Sequence, residues 1–278
     1  MNPAIEAQFN PRTTVPDVGI YTDRGDQLSE QARQTYSFEG DIRYGAGPLA
    51  TLDLFPAARP DRPLVIFLHG GYWRARDKND YSFVVNSLIS ADCSVVVMNY
   101  DLCPTVKLSE IVQQVKDGIE WIAAKAEQWG FNPNQILAFG HSAGAHLIAA
   151  VLAQTGQSYQ LAPGIIRKAY LISGVYDVEP VLEISVNAQI CLLPEEVHAM
   201  SPLNFSFDPA TAYEVFAGGG EPRDWIGEST RFAEHLKKNG CATYHETIGD
   251  LNHYSIMYEL ETPEGVIAKR IRQDIEAV

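Results

Sequence analysis

The chain has 278 residues, a formal net charge of −14 at pH 7, 46% hydrophobic residues and 20% charged residues. This composition is typical of a folded domain with a substantial apolar core, and its acidic balance argues against nucleic-acid or anionic-membrane partners. We therefore expect a single domain over residues 1–278 that acts on a small molecule.

The N-terminal stretch "MNPAIEAQFNPRTTVPD" lacks the basic-then-apolar pattern of a secretory signal peptide. No segment approaches the roughly 20 consecutive apolar residues that span a bilayer. The cysteines show no CxxC spacing, which favours free thiols over disulfides or zinc ligands. These features together predict a cytoplasmic protein.

Short apolar runs alternate with helical patterns through the middle of the chain. The runs are "LVIFL" (64–68), "SVVVM" (94–98), "QILAF" (135–139) and "AYLI" (169–172). Such runs predict strands buried on both faces, as in a parallel sheet. Apolar residues at steps of three and four predict a helix over about 108–126, and "AGAHLIAAVLAQ" predicts another directly after the third strand.

The same alternation continues towards the C-terminus. We expect strands over 213–217 and 242–248, with helices over 225–238 and about 263–276. Residues 178–210 show little periodicity, which is typical of a cap-like insertion. The order of elements predicts an α/β fold class, with a mostly parallel central sheet and helices on both faces.

A nucleophile motif lies between the third strand and its helix. "GHSAG" (140–144) satisfies G-x-S-x-G, and its position between a predicted strand and a predicted helix is the context that the motif requires. The serine must take a strained backbone conformation that lifts its hydroxyl above the sheet, so its neighbours must be small. We predict that Ser142 is the nucleophile.

The stretch "FLHGGYW" (67–73) closes the first of these strands with two glycines. A serine that attacks a carbonyl needs fixed N–H donors for the negative oxygen that forms. We predict those donors to be the amides of Gly71, Tyr72 and Ala143. The alternative is a plain glycine turn in which His69 is a satisfied core residue.

Chain order in this type of site is serine, acid, histidine. His253, in "DLNHYSI", follows the last predicted strand in a loop before a helix, which makes it the predicted base. Two carboxylates in "GGGEPRDW" compete for the acid: Glu221 lies nearer the strand end, and Asp224 has an alternative role in the first helical turn. No histidine pair has the spacing of a zinc site.

These motifs carry a family resemblance. "HGGYW", "YDLCP", "GHSAGAHL", "SGVYD", "GGGE…W" and "NHYSI" resemble the α/β-hydrolase arylformamidases, also called kynurenine formamidases, near the hormone-sensitive-lipase-like carboxylesterases. The N-terminal "FNPRTTVPD" extends the likeness to nearly the whole chain.

The resemblance implies cofactor-free hydrolysis of an N-formyl bond, as in N-formylkynurenine, through an acyl-enzyme. The alternatives are a carboxylesterase that acts on short-chain esters and a deformylase of another small formamido acid. A homodimer stays open. It maps the acid to Glu221, where relatives commonly carry aspartate.

The stretch "YWRARDK" bears on the substrate. Arg74 or Arg76 is a candidate to hold a substrate carboxylate, and Tyr72 with Trp73 is a candidate wall for an aryl leaving group. For most of the charged residues here, which are Arg74, Arg76 and Lys78, the stretch favours a solvated loop over such a role.

Overall fold

The computed structural model describes residues 1–277. Its strands are β1 (Glu39–Arg43), β2 (Thr51–Phe55), β3 (Arg62–Leu68), β4 (Ser94–Met98), β5 (Phe131–His141), β6 (Lys168–Ile172), β7 (Ala212–Gly218) and β8 (Thr243–Ile248). They form an eight-stranded sheet in the order β1-β2-β4-β3-β5-β6-β7-β8. The pairs β1–β2 and β2–β4 are antiparallel, and every pair from β4 to β8 is parallel. The predicted α/β fold with a mostly parallel sheet is confirmed.

Helices cover both faces of this sheet. In chain order they are α1 (Pro3–Phe9), α2 (Pro11–Thr14), α3 (Gly19–Thr35), α4 (Leu108–Ala123), α5 (Ala126–Trp129), α6 (Ala143–Leu152), α7 (Asn187–Ile190), α8 (Val197–Met200), α9 (Arg223–Lys238) and α10 (Val266–Glu276). Short 3₁₀ helices occur as well, the longest at Lys78–Ser87 and another at Ser255–Leu260 after β8.

Strand β3 shows why its sequence is an unbroken apolar run. Leu64, Ile66 and Leu68 belong to the core on the face that holds α4, α6 and α9. Val65 and Phe67 belong to the core on the opposite face, with residues of α3 and α10. Successive side chains of a strand point to opposite faces, so a strand covered on both sides is apolar throughout.

The sequence patterns did not predict the N-terminal part of the fold. The residues of β1 are mostly exposed, and the buried residues of α3 are Gly25, Ser29 and Ala32, which are too small to give an amphipathic signal. An ion cluster around the buried pair Lys78 and Asp53 holds this region instead. Lys78 Nζ lies 2.8 Å from Asp53 Oδ1 and 2.8 Å from Asp41 Oδ1, and Arg33 of α3 pairs with the same Asp53.

Residues 178–210, all within the described part of the chain, contain short helices and no strand. One isolated bridge joins Phe207 to Ala153. This segment is tied to α6 through His146, whose Nε2 donates to the carbonyl oxygen of Met200 at 2.8 Å. Among residues 1–277, no helix is long and apolar enough to cross a membrane.

The contact between His146 and Met200 predicts a pH-dependent stability. His146 is fully buried, and burial lowers its pKa from 6.5 to about 4. Below pH 6.5 the unfolded chain therefore binds a proton that the folded chain excludes until the pH approaches 4. This residue should reduce the free energy of unfolding by about 1.4 kcal/mol for each pH unit in that window.

The variant His146→Gln keeps an N–H donor but does not titrate, so its stability should fall less steeply between pH 7 and pH 5. Urea unfolding at both pH values measures the difference, with His198→Gln at an exposed position as the control. Equal pH slopes for wild type and His146→Gln would contradict the prediction.

Candidate active site

Ser142 lies in a sharp turn between β5 and α6, with φ of 54° and ψ of −115°. This conformation is rare for a residue with a side chain, and the surrounding glycines make it possible. A Cβ on Gly144 would lie 2.0 Å from the carbonyl oxygen of Leu68, and one on Gly140 would lie 2.5 Å from the backbone of Gly144. The amide of Ser142 donates to Ile172 at 2.8 Å, which fixes the turn to β6.

A buried hydrogen-bond chain leads away from the serine. His253 Nε2 lies 3.0 Å from Ser142 Oγ, and His253 Nδ1 donates to Glu221 Oε1 at 2.6 Å. All three residues are at most 6% exposed. The order serine, histidine, carboxylate is the one that lets a histidine take the serine proton while the carboxylate fixes its tautomer.

The second oxygen of Glu221 is also fully engaged. Oε2 accepts the hydroxyl of Ser173 and the amide of Gly218, both at 2.8 Å. Buried carboxylates need such donors, and here they hold the side chain aimed at His253. Asp224 is exposed in the first turn of α9, where its amide donates to Gln8 at 3.0 Å. Of the two candidate acids, the structure brings Glu221 to the histidine.

The loop that carries His253 is held from two sides. His141, the residue before the serine, donates from Nε2 to the carbonyl oxygen of His253 at 2.8 Å. Burial, helped by His253, lowers the pKa of His141 well below its ordinary value, so its ring is neutral with the proton on Nε2. On the other side, Asn252 Nδ2 donates to the hydroxyl of Tyr21 in α3 at 2.9 Å.

The glycine loop after β3 takes left-handed backbone conformations. φ is 121° at Gly71, 52° at Tyr72 and 56° at Trp73. Within residues 1–277 the amides of Gly71, Tyr72 and Ala143 have no hydrogen-bond acceptor. Free amides beside a nucleophile are what an oxyanion site requires. His69 stabilises the loop through a hydrogen bond from Nδ1 to the carbonyl oxygen of Gly70 at 2.7 Å.

A cavity of about 90 Å³ opens over Ser142 and His253. Gly71, Tyr72 and Tyr254 form part of its wall. The N-terminal segment forms the rest, through residues such as Arg12 of α2, which the sequence patterns did not single out. In the described chain, no group of three His, Cys, Asp or Glu side chains could hold a metal ion.

Trp73 does not line this cavity, and its predicted contact with an aryl group is wrong. The side chain is completely buried in the core and lies edge-on to His146, with 4.7 Å between the ring centroids. The neighbouring Tyr72, which has the same left-handed backbone conformation, lines the cavity instead.

The charged residues of this loop differ in their surroundings. Arg74 and Arg76 both line the cavity. Arg76 Nη2 lies 2.7 Å from Asp26, and its Nε lies 3.0 Å from Asp80, so its charge is balanced. Arg74 donates to the side chain of Gln189 and has no carboxylate partner in residues 1–277. Lys78 turns into the protein, so the solvated-loop interpretation is wrong for that residue.

Comparison with known proteins shows the family to which the chain belongs. The family model BD-FAE matches residues 52–189. The chain is 27% identical to kynurenine formamidase from Danio rerio, covering 95% of this chain and 91% of that protein. It is 33% identical to kynurenine formamidase from Salmo salar, covering 71% of this chain and 68% of that protein. The chain belongs to the kynurenine formamidase family.

Solved structures agree with this family's fold. A crystal structure from Silicibacter sp. TM1040 superposes with a TM-score of 0.83 at 25% identity, covering 97% of both chains. The Pyrobaculum calidifontis esterase superposes with a TM-score of 0.76 at 18% identity, covering 93% of this chain and 92% of that one. This member of the kynurenine formamidase family is thus a hydrolase with the α/β-hydrolase fold.

Glu221→Gln should lower kcat of this kynurenine formamidase homologue by about 10⁴, because an amide cannot hold His253 in the tautomer that accepts the serine proton. Asp224→Asn should change kcat by less than about threefold, since that side chain is exposed away from the histidine. Steady-state kinetics on both variants, with circular dichroism to confirm folding, separates them. The reverse order of effects would assign the acid role to Asp224.

Gly71→Ala tests the glycine loop. The added Cβ would lie 2.1 Å from the carbonyl oxygen of Ala75, at a φ of 121° that side chains rarely adopt. The displaced amides should cost on the order of 10²-fold in kcat. Gly227→Ala in α9 is the matched control, because no atom lies within 4 Å of its added Cβ. A folded Gly71→Ala variant with wild-type kcat would contradict the assignment.

Proposed function

We propose that this protein hydrolyses arylformamides through a formyl-enzyme intermediate on Ser142. The observation that carries the proposal is the buried chain from Glu221 through His253 to Ser142, which lies beside three free amides in a kynurenine formamidase homologue. Nothing beyond a nucleophile, a base and N–H donors is needed for this reaction.

In the first half-reaction, Ser142 Oγ attacks the formyl carbon while His253 Nε2 takes the serine proton. Glu221 holds His253 through Nδ1 and stabilises the imidazolium that forms. The carbonyl oxygen becomes negative and receives hydrogen bonds from the amides of Gly71, Tyr72 and Ala143.

The C–N bond then breaks, and His253 returns its proton to the leaving nitrogen, so that a neutral arylamine departs. A formyl ester remains on Ser142. In the second half-reaction water attacks this ester, His253 accepts the water proton and returns it to Ser142 Oγ, and formic acid is released, which ionises to formate in solution.

The walls of the cavity favour an aromatic leaving group. Tyr72, Tyr81 and Tyr254 line it, and tyrosine rings offer apolar faces to another ring. The same catalytic groups would act on a short-chain ester. The likeness of the chain to esterase LipQ from Mycobacterium tuberculosis, 28% identical over 73% of this chain and 53% of that protein, supports carboxylesterase activity as the alternative.

The test compares kcat/KM for N-formylkynurenine with kcat/KM for p-nitrophenyl acetate, butyrate and hexanoate. We expect the formamide to exceed every ester. Good ester rates with negligible formamide turnover would instead identify a carboxylesterase.

Ser142→Ala provides the background for this comparison. It should lower kcat by about four to six orders of magnitude on any substrate while the protein stays folded, because the nucleophile is lost and only binding and the oxyanion donors remain. Activity near that of the wild type would overturn the mechanism.

A further inference from the structure

The cavity above Ser142 carries an unbalanced positive charge. Arg12, Arg74 and Arg76 line it, and no Asp or Glu among the described residues does so. The chain as a whole has a formal net charge of −14, so a cluster of arginines without acids does not follow from its composition. The charge is a local property of the site.

Arg76 does not contribute to this excess. Its guanidinium is paired with Asp26 and Asp80 and lies over the ring of Tyr81, at 5.6 Å from the ring centroid. Two carboxylates and a tyrosine ring fix its position and balance its charge. Arg76 is therefore part of the wall rather than a free cation.

Arg12 and Arg74 remain, and neither is paired with a carboxylate in residues 1–277. Arg74 donates one N–H to Gln189, while its buried Nε has no hydrogen-bond partner. Burial lowers the pKa of Arg74, and the charge of Arg12 lowers it further, so the two guanidiniums repel each other. An anion between them would relieve this repulsion.

The fold holds Arg12 at this place. Asn10, which precedes α2, is buried and donates from Nδ2 to Glu6 Oε1 at 2.7 Å, while its Oδ1 caps the amide of Arg12 at 3.2 Å. Glu6 in turn accepts the hydroxyl and the amide of Ser185. The N-terminal segment is thereby fixed against residues 178–210, with the Arg12 side chain over the cavity.

We propose that Arg12 and Arg74 are specificity-determining residues of this site, which together hold a carboxylate carried by the aryl leaving group. This inference rests on the proposed function, because a formyl group has no room for a second substituent and the carboxylate must then belong to the amine. Arginine forks bind carboxylates through paired charge-assisted hydrogen bonds. Among the residues proposed from the loop sequence, this selects Arg74 over Arg76 and adds Arg12.

The experiment uses two substrates that differ only in the carboxylate: 2-formamidobenzoate and formanilide. The readout is the ratio of their kcat/KM values. Arg12→Gln and Arg74→Gln should each lower this ratio about 10-fold to 100-fold, because a charge-assisted hydrogen bond is lost only with the acidic substrate. Arg223→Gln, which removes an exposed arginine that lines a different hollow, should leave the ratio at the wild-type value.

A ratio that stays at the wild-type value in both Arg12→Gln and Arg74→Gln would overturn the subsite, while turnover of either formamide would keep the proposed function. If the protein cleaves p-nitrophenyl acetate but neither formamide, the proposed function fails. The subsite is then tested separately by inhibition of that ester hydrolysis with benzoate. A Ki that rises at least 10-fold in Arg12→Gln supports the subsite, and an unchanged Ki overturns it.

Discussion

The contact between α6 and β3 determines the geometry of the site. Gly144 lies so close to the end of β3 that the carbonyl oxygen of Leu68 occupies the place of a side chain. Because β3 and β5 are parallel neighbours, both end at the same edge of the sheet. The helix that starts directly after Ser142 therefore passes beside the loop after β3, and backbone packing brings the serine and the free amides of that loop together.

The acid and the histidine reach the same edge from the other half of the sheet. Strands β7 and β8 are neighbouring parallel strands beyond β6. Glu221 follows β7, and His253 follows β8. Ser173, at the end of β6, donates to Glu221 and accepts the indole N–H of Trp225 at its carbonyl oxygen. The segments after β5, β6, β7 and β8 thus supply Ser142, Ser173, Glu221 and His253. Residues far apart in the chain meet because these strands end at the same edge of the sheet.

The parallel strands and the serine could be predicted because their signals are local. A strand buried on both faces is apolar throughout, and a serine between small residues at a strand-to-helix turn is typical of a nucleophile. The choice between Glu221 and Asp224 stayed open because both carboxylates follow the same strand. Only the three-dimensional structure shows that Glu221 is buried and hydrogen-bonded to His253, whereas Asp224 faces solvent.

Other features have no local signal. The helix α3 is held by small buried residues and by the pairing of Arg33 with Asp53, and neither gives a hydrophobic period. Trp73 was misplaced because its aromatic character suggested a wall, whereas its ring packs in the core against His146. The position of Arg12 over the cavity depends on hydrogen bonds to Ser185, a residue far away in the sequence.

The hydrogen bond from His141 to the carbonyl oxygen of His253 has a mechanical consequence. His141 adjoins Ser142 and holds the backbone of His253, so the turn after β5 and the loop after β8 are joined by a direct hydrogen bond. This bond connects the two segments whose side chains meet at 3.0 Å, between His253 Nε2 and Ser142 Oγ. Because burial holds the pKa of His141 well below its ordinary value, the ring stays neutral and this hydrogen bond does not depend on a charge.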